Sequence, residues 1–197
     1  MKNEAYMAKK DYIFRYDNEG SSIGHIPGSE KVLFIKTGQG GSVYGDGNKY
    51  LNLAYEINEK YGFTVFVSET DSDSEESYDR DMAILDSLFV NKGYEIYYLG
   101  VSKGGIIGIW YGSKNKKIKK VLTINAPMMI NFYNKTRPAA LSLGGRLAMV
   151  YGALDPSYKY IPFIPSGINV RILDGADHNM IGAKVTLAEL IEDLLFE

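Results

Sequence analysis

The sequence predicts an α/β protein built on a doubly wound, mostly parallel eight-stranded sheet, with an antiparallel edge hairpin and helices on both faces. Three observations carry that prediction. Apolar, β-branched and aromatic runs alternate with helical patterns along the chain. The inner runs, VLFIKT, TVFVS and IYYLG, are nearly continuously apolar, which is the pattern of strands covered on both faces. The first two runs are more polar and are separated by Asp-Asn-Glu-Gly, a turn signal, so they form the hairpin.

In chain order the predicted strands are Tyr12–Tyr16, Ser22–Ile26, Val32–Thr37, Phe63–Ser68, Glu95–Gly100, Val121–Asn125, Arg146–Tyr151 and Val170–Leu173. Helices are predicted between them. In Lys49–Tyr61, Leu53 and Ile57 share a face, and Gly62 stops the helix. Met82, Leu85, Leu88 and Phe89 do the same in Ser77–Lys92, stopped by Gly93. An apolar helix follows from Gly104 to Tyr111, and Leu187, Leu190, Ile191, Leu194 and Leu195 form a last helical stripe.

The 197 residues suit a single domain, 1–197, with a sizeable core. A net charge of −2 and an apolar content of 45% describe an ordinary globular protein, with no bias toward nucleic acid or a membrane surface. The absence of cysteine excludes disulfides, thiolate zinc sites and a cysteine nucleophile. Two histidines, His25 and His178, argue against a multi-histidine metal site. The N-terminal stretch has no long apolar core and no segment approaches a membrane span, so by default the chain reads as cytoplasmic.

The stretch YYLGVSKGGIIG, Tyr97 to Gly108, places a serine between two glycines where a strand gives way to a helix. A sharp strand-to-helix turn strains its central residue and leaves little room beside it. Gly100 and Gly104 supply that room. The Ser102 hydroxyl is then held out beside a helix N-terminus, whose unbonded N–H groups can stabilise an anion. This is the pattern of a nucleophile elbow.

A nucleophilic serine needs a base, and the base needs an orienting acid. His178 directly follows the last predicted strand, at the strand end where ligands of open α/β sheets sit, whereas His25 lies in the edge hairpin. Asp155, in ALDPSYKY, also follows a strand end, and the order Ser102, Asp155, His178 is that of nucleophile-elbow enzymes. Asp174 and Asp177 are its competitors. The glycine-rich loop Thr37-Gly38-Gln39-Gly40-Gly41-Ser42 lets a backbone N–H face the elbow. Gln39 is the chosen oxyanion donor, with Gly40 as the alternative, acting with the N–H of Lys103.

With TGQGGS after the third strand, GVSKGG after the fifth, LDP after the seventh and GADHN after the eighth, the chain resembles the α/β-hydrolase superfamily over nearly its full length. Many members carry His-Gly where Thr37-Gly38 stands, which implies a differently braced loop. Only Ala126 to Gly145 separate the sixth and seventh strands, too few residues for a cap domain. Within them PMMINFY reads equally as an acyl-pocket wall or as simple packing.

Other signals are set aside. The acidic run Asp71–Asp81 fails as a calcium loop, with Glu76 where glycine is needed and Met82 where glutamate is needed, and is expected to be a solvated loop. Five lysines in Lys114–Lys120 fall on the face away from the predicted site and read as helix-end charge. TGQGGSVYG with Glu69 has the layout of a dinucleotide-binding unit, but Val43 stands where the last glycine belongs. The expected activity is that of a small, lidless serine hydrolase, carboxylesterase- or lipase-like, acting on a small-molecule ester or thioester, with no cofactor and no metal implied. A non-catalytic binding module on the same fold is the alternative.

Overall fold

A computed structural model describes residues 12–16, 22–70, 74–90 and 92–196. Eight strands form one sheet: β1 Ile13–Tyr16, β2 Ser22–Ile26, β3 Ser29–Gln39, β4 Phe63–Thr70, β5 Glu95–Val101, β6 Ile118–Ile124, β7 Leu147–Gly152 and β8 Asn169–Leu173. Their order is β1-β2-β4-β3-β5-β6-β7-β8. β1 pairs antiparallel with β2, and β2 antiparallel with β4; from β4 onward every pairing is parallel. The hairpin, the eight strands and the parallel core agree with the sequence reading. The Asp-Asn-Glu-Gly turn itself lies outside the described residues.

The helices are α1 Lys49–Tyr61, α2 Ser74–Leu88, α3 Lys103–Gly112, α4 Arg137–Leu143 and α5 Leu187–Ile191, the last running on into a wider turn, Glu192–Phe196. Gly62 ends α1 as expected, in the left-handed conformation at φ 67°. α2 starts earlier and ends sooner than predicted, at Leu88 rather than beside Gly93. A capping box between Thr186 and Glu189 starts α5.

Strand alternation divides the core in two. Val32, Phe34, Phe66, Ile96 and Tyr98 face one side, against Leu85 of α2, Ile106 and Trp110 of α3, and Leu143 of α4. Leu33, Ile35, Val65, Val67, Leu99 and Leu122 face the other, against Leu53 and Ile57 of α1 and Leu190 and Leu194 of the C-terminal helix. Covering both faces is why these strands read as unbroken apolar runs. Each such side chain contributes about 1.5–3 kcal/mol by leaving water.

One residue breaks the apolar run of β3. Lys36 is fully buried, and its Nζ has four oxygens within hydrogen-bond distance for its three N–H groups: Asp81 Oδ2 at 2.5 Å, Ser77 Oγ at 2.6 Å, the Glu69 carbonyl at 2.7 Å and Ser68 Oγ at 3.0 Å. This corrects the reading of Asp71–Asp81 as a solvated loop: the chain is helical from Ser74, and Asp81 is fully buried against the lysine. Residues 71–73 lie outside the described residues. Burial pushes the Asp81 carboxyl above the usual carboxylate range, against the opposing pull of Lys36. Asp81→Ala should cost about 3–5 kcal/mol, because it leaves a buried ammonium without its counter-charge. The double variant Lys36→Met, Asp81→Leu should recover most of that. Urea unfolding of the two proteins checks the pair, and equal losses in both would refute the argument.

Candidate active site

At the end of β5 the backbone turns within one residue. Ser102 has φ 51° and ψ −119°, a conformation sparsely populated by residues other than glycine. Its N–H donates to the Ile124 carbonyl at 2.8 Å, and its own carbonyl accepts from Gly105 at 3.0 Å. The turn is crowded, as the flanking glycines suggested. A Cβ at position 100 would lie 2.5 Å from the Gly104 carbonyl oxygen, and one at position 104 would lie 2.3 Å from that of Lys36. The strain therefore stays on Ser102, with β3 and α3 packed backbone to backbone beside it. Lys103 is the first residue of α3, where backbone N–H groups have no acceptor within the helix.

The glycine-rich loop lies directly against this turn. A Cβ on Gly38 would come within 3.3 Å of Ser102 Cβ. Thr37 braces the loop from inside: its hydroxyl shares its one proton between the carbonyls of Gly38 (3.1 Å) and Gly41 (3.0 Å), and its carbonyl accepts from Thr70 Oγ1 at 2.5 Å. The Glu69 carboxylate takes the N–H of Val43 at 3.1 Å and that of Ser22 at 3.2 Å. Glu69 therefore holds the loop to the edge hairpin, and Val43 is buried beneath it. Gln39 and Gly40 line a cavity of about 380 Å³ together with Ser102 and His178. Tyr50 forms part of its wall; burial and the nearby Asp46 hold its phenol above the ordinary range, so it is neutral at neutral pH.

Asp155 and His178 meet across two loops. Asp155 caps the short helical turn Pro156–Phe163, its Oδ1 accepting from Ser157 N–H at 2.6 Å, and Pro156 sits where a missing N–H costs nothing. The other carboxylate oxygen contacts His178 Nδ1. The carboxylate is 0% exposed and the imidazole 48%, so Nδ1 is held by a shielded acid on a ring that is itself half exposed. Asp177 is engaged elsewhere: its Oδ1 accepts from the N–H groups of Asn179 and Ile181, both at 2.9 Å, closing the histidine loop on itself. Asp174 is exposed. His25 is buried in β2, paired with Phe66 of β4.

The sequence reading missed Asn125. It follows β6, is fully buried and has φ 51°. Its amide nitrogen donates to the carbonyls of Asp177 (3.1 Å) and His178 (3.0 Å), and its oxygen accepts from Gly152 N–H at 2.8 Å. One side chain thus ties the ends of β6 and β7 to the histidine loop. The available signal was an asparagine closing the apolar run VLTI, where a buried amide must find several partners.

Within PMMINFY, Met128 and Phe132 are buried in the core, and Ile130 and Tyr133 are exposed. Among the described residues no group of three or more histidines or carboxylates is placed to hold a metal ion, and no helix is long and apolar enough to cross a membrane.

No family model matches the chain, and no curated protein matches it in sequence. Solved structures do match its shape. Est1E from Butyrivibrio proteoclasticus superposes with a TM-score of 0.64 over 94% of this chain and 96% of that one, at 14% identity. XC6422 from Xanthomonas campestris, an α/β serine hydrolase without a lid, gives 0.64 over 93% and 90%, also at 14%. The chain has the α/β-hydrolase fold. Dienelactone hydrolase from Anabaena variabilis matches that fold with a TM-score of 0.66 over 94% and 95%, at 13% identity. Matches this remote in sequence speak to the fold, and the chemistry rests on this chain's own residues.

Proposed function

We propose that the protein is a serine hydrolase, carboxylesterase-like, that cleaves a carboxylic ester or thioester through an acyl-enzyme. The observation that carries the reading is the contact between the buried Asp155 carboxylate and His178 Nδ1, on a ring that shares one cavity with the strained Ser102 and the glycine-rich loop. That arrangement supports a division of labour. Ser102 Oγ attacks the acyl carbon while His178 Nε2 takes its proton. Asp155 fixes the tautomer and stabilises the imidazolium. The N–H groups of Lys103 and Gln39 receive the developing oxyanion. His178 then protonates the departing alcohol or thiol, and water, activated by the same histidine, releases the acid.

The test is labelling with a fluorophosphonate, followed by peptide mass spectrometry. Ser102 should carry the adduct, and labelling should fall away in His178→Ala. A folded protein that leaves Ser102 unmodified would instead be a binding module on the hydrolase fold.

A further inference from the structure

We infer that a second cavity beside His178 is the pocket for the alcohol portion of the ester, and that it takes an alkyl group of about six carbons. The inference rests on the catalytic reading of Ser102, Asp155 and His178. Two cavities meet at Lys49, Tyr50, Val101, His178 and Asn179. The larger contains Ser102 and the glycine-rich loop. The smaller, about 200 Å³, continues past His178, and its walls add Ile124, Met180, Val185 and Leu187.

The chemistry assigns the two halves. In the acylation step the Ser102 Oγ–carbon bond forms and the bond from that carbon to the alkoxy oxygen breaks. The serine proton travels through His178 to that oxygen, so an ester and a serine become an acyl-serine and an alcohol. The acyl carbon must lie at Ser102 with its carbonyl oxygen toward the loop, which is the larger cavity. The alkoxy oxygen must lie where His178 can protonate it. Atoms beyond that oxygen enter the space walled by the histidine loop, which is the smaller cavity.

Its lining sets the ligand chemistry. These four side chains are aliphatic or thioether, and they come from the end of β6 and from residues 180–187 just before and at the start of α5. The one lysine in the wall, Lys49, carries its ammonium 5.2 Å from the Tyr50 ring and lines both cavities. A charged or strongly polar group placed against Ile124, Met180, Val185 and Leu187 would lose its hydration without gaining a partner from those four side chains. At roughly 30 Å³ per water-sized group, the volume holds about six carbons.

Two ester series with the full-length protein test this. In acetate esters of methanol through decanol, kcat/KM should rise roughly 3- to 4-fold per carbon up to about hexyl and then level off, the gain expected for each buried methylene. In methyl esters of acetic through decanoic acid the rise should be much shallower. Val185→Phe should cut the hexyl-to-methyl acetate ratio about tenfold, the worth of roughly two methylenes. Val185→Ala, a milder change, should move the optimum to a longer alcohol. A steep acyl series shortened by Val185→Phe, or ratios unmoved by either variant, would overturn the assignment while fluorophosphonate labelling of Ser102 persists. Wild-type protein that does not label loses the catalytic reading, and this assignment with it.

Discussion

Ser102→Ala is expected to remove turnover, with a loss on the order of a million-fold, by analogy with nucleophile knockouts in other triads. The fold should persist, because the turn is held by backbone groups that alanine keeps: Ser102 N–H to the Ile124 carbonyl, and Gly105 N–H to the Ser102 carbonyl. Ser102→Gly sharpens the experiment. A residue at φ 51° and ψ −119° carries about 1–3 kcal/mol of backbone strain that glycine does not. The glycine variant should therefore be as inactive as the alanine variant and more resistant to urea than the wild type. Loss of activity with a gain in stability is what a residue held under strain for chemistry produces. Most activity retained in either variant on a small ester would remove Ser102 from the mechanism, and a glycine variant less stable than the alanine variant would refute the strain.

Sequence and structure agree most closely where burial is two-sided. β3 to β7 lie inside the parallel part of the sheet, and their apolar runs follow from helices on both faces. The ends are less legible. β3 begins at Ser29 because Ser29 pairs with Phe63 and Lys31 with Glu95, yet residues 29–31 are exposed and carry no apolar signature. Asp81 was misread because its meaning depends on Lys36, 45 positions away and on another element. The warning lay in VLFIKT, since a lysine inside a two-sided strand must bring a counter-charge into the core. Asn125 escaped for a related reason. Its partners, at the end of β7 and in the histidine loop, are separated from it by more than 25 residues, and no periodicity encodes such a contact. Ser102, Asp155 and His178, the residues proposed to carry the chemistry, each follow a strand end, and parallel strands deliver their C-terminal ends to one edge of the sheet.

Asp155→Asn should lower kcat about ten-thousand-fold with little change in KM, the size of effect found when the equivalent aspartate of a template triad is replaced. The geometry gives the reason. Asp155 Oδ1 is already engaged by Ser157 N–H, and an asparagine oxygen can keep that bond. The amide nitrogen is then left facing His178 Nδ1, where Asp155 Oδ2 now sits. An N–H at that point requires Nδ1 to accept, which moves the ring proton to Nε2. Nε2 can then no longer take the serine proton, and the imidazolium has lost its buried counter-charge. The competing acids should behave differently. In Asp177→Asn the side-chain oxygen can still accept from Asn179 and Ile181, so the loop keeps its shape and activity should fall by less than about tenfold. Asp174 is exposed, and its asparagine variant should fall within the small range of ordinary surface substitutions. Steady-state kinetics of the three variants on one ester at one pH distinguish them. If Asp177→Asn proved the inactive one and Asp155→Asn remained near wild type, the contact between Asp155 and His178 would be a structural cap and not part of the chemistry.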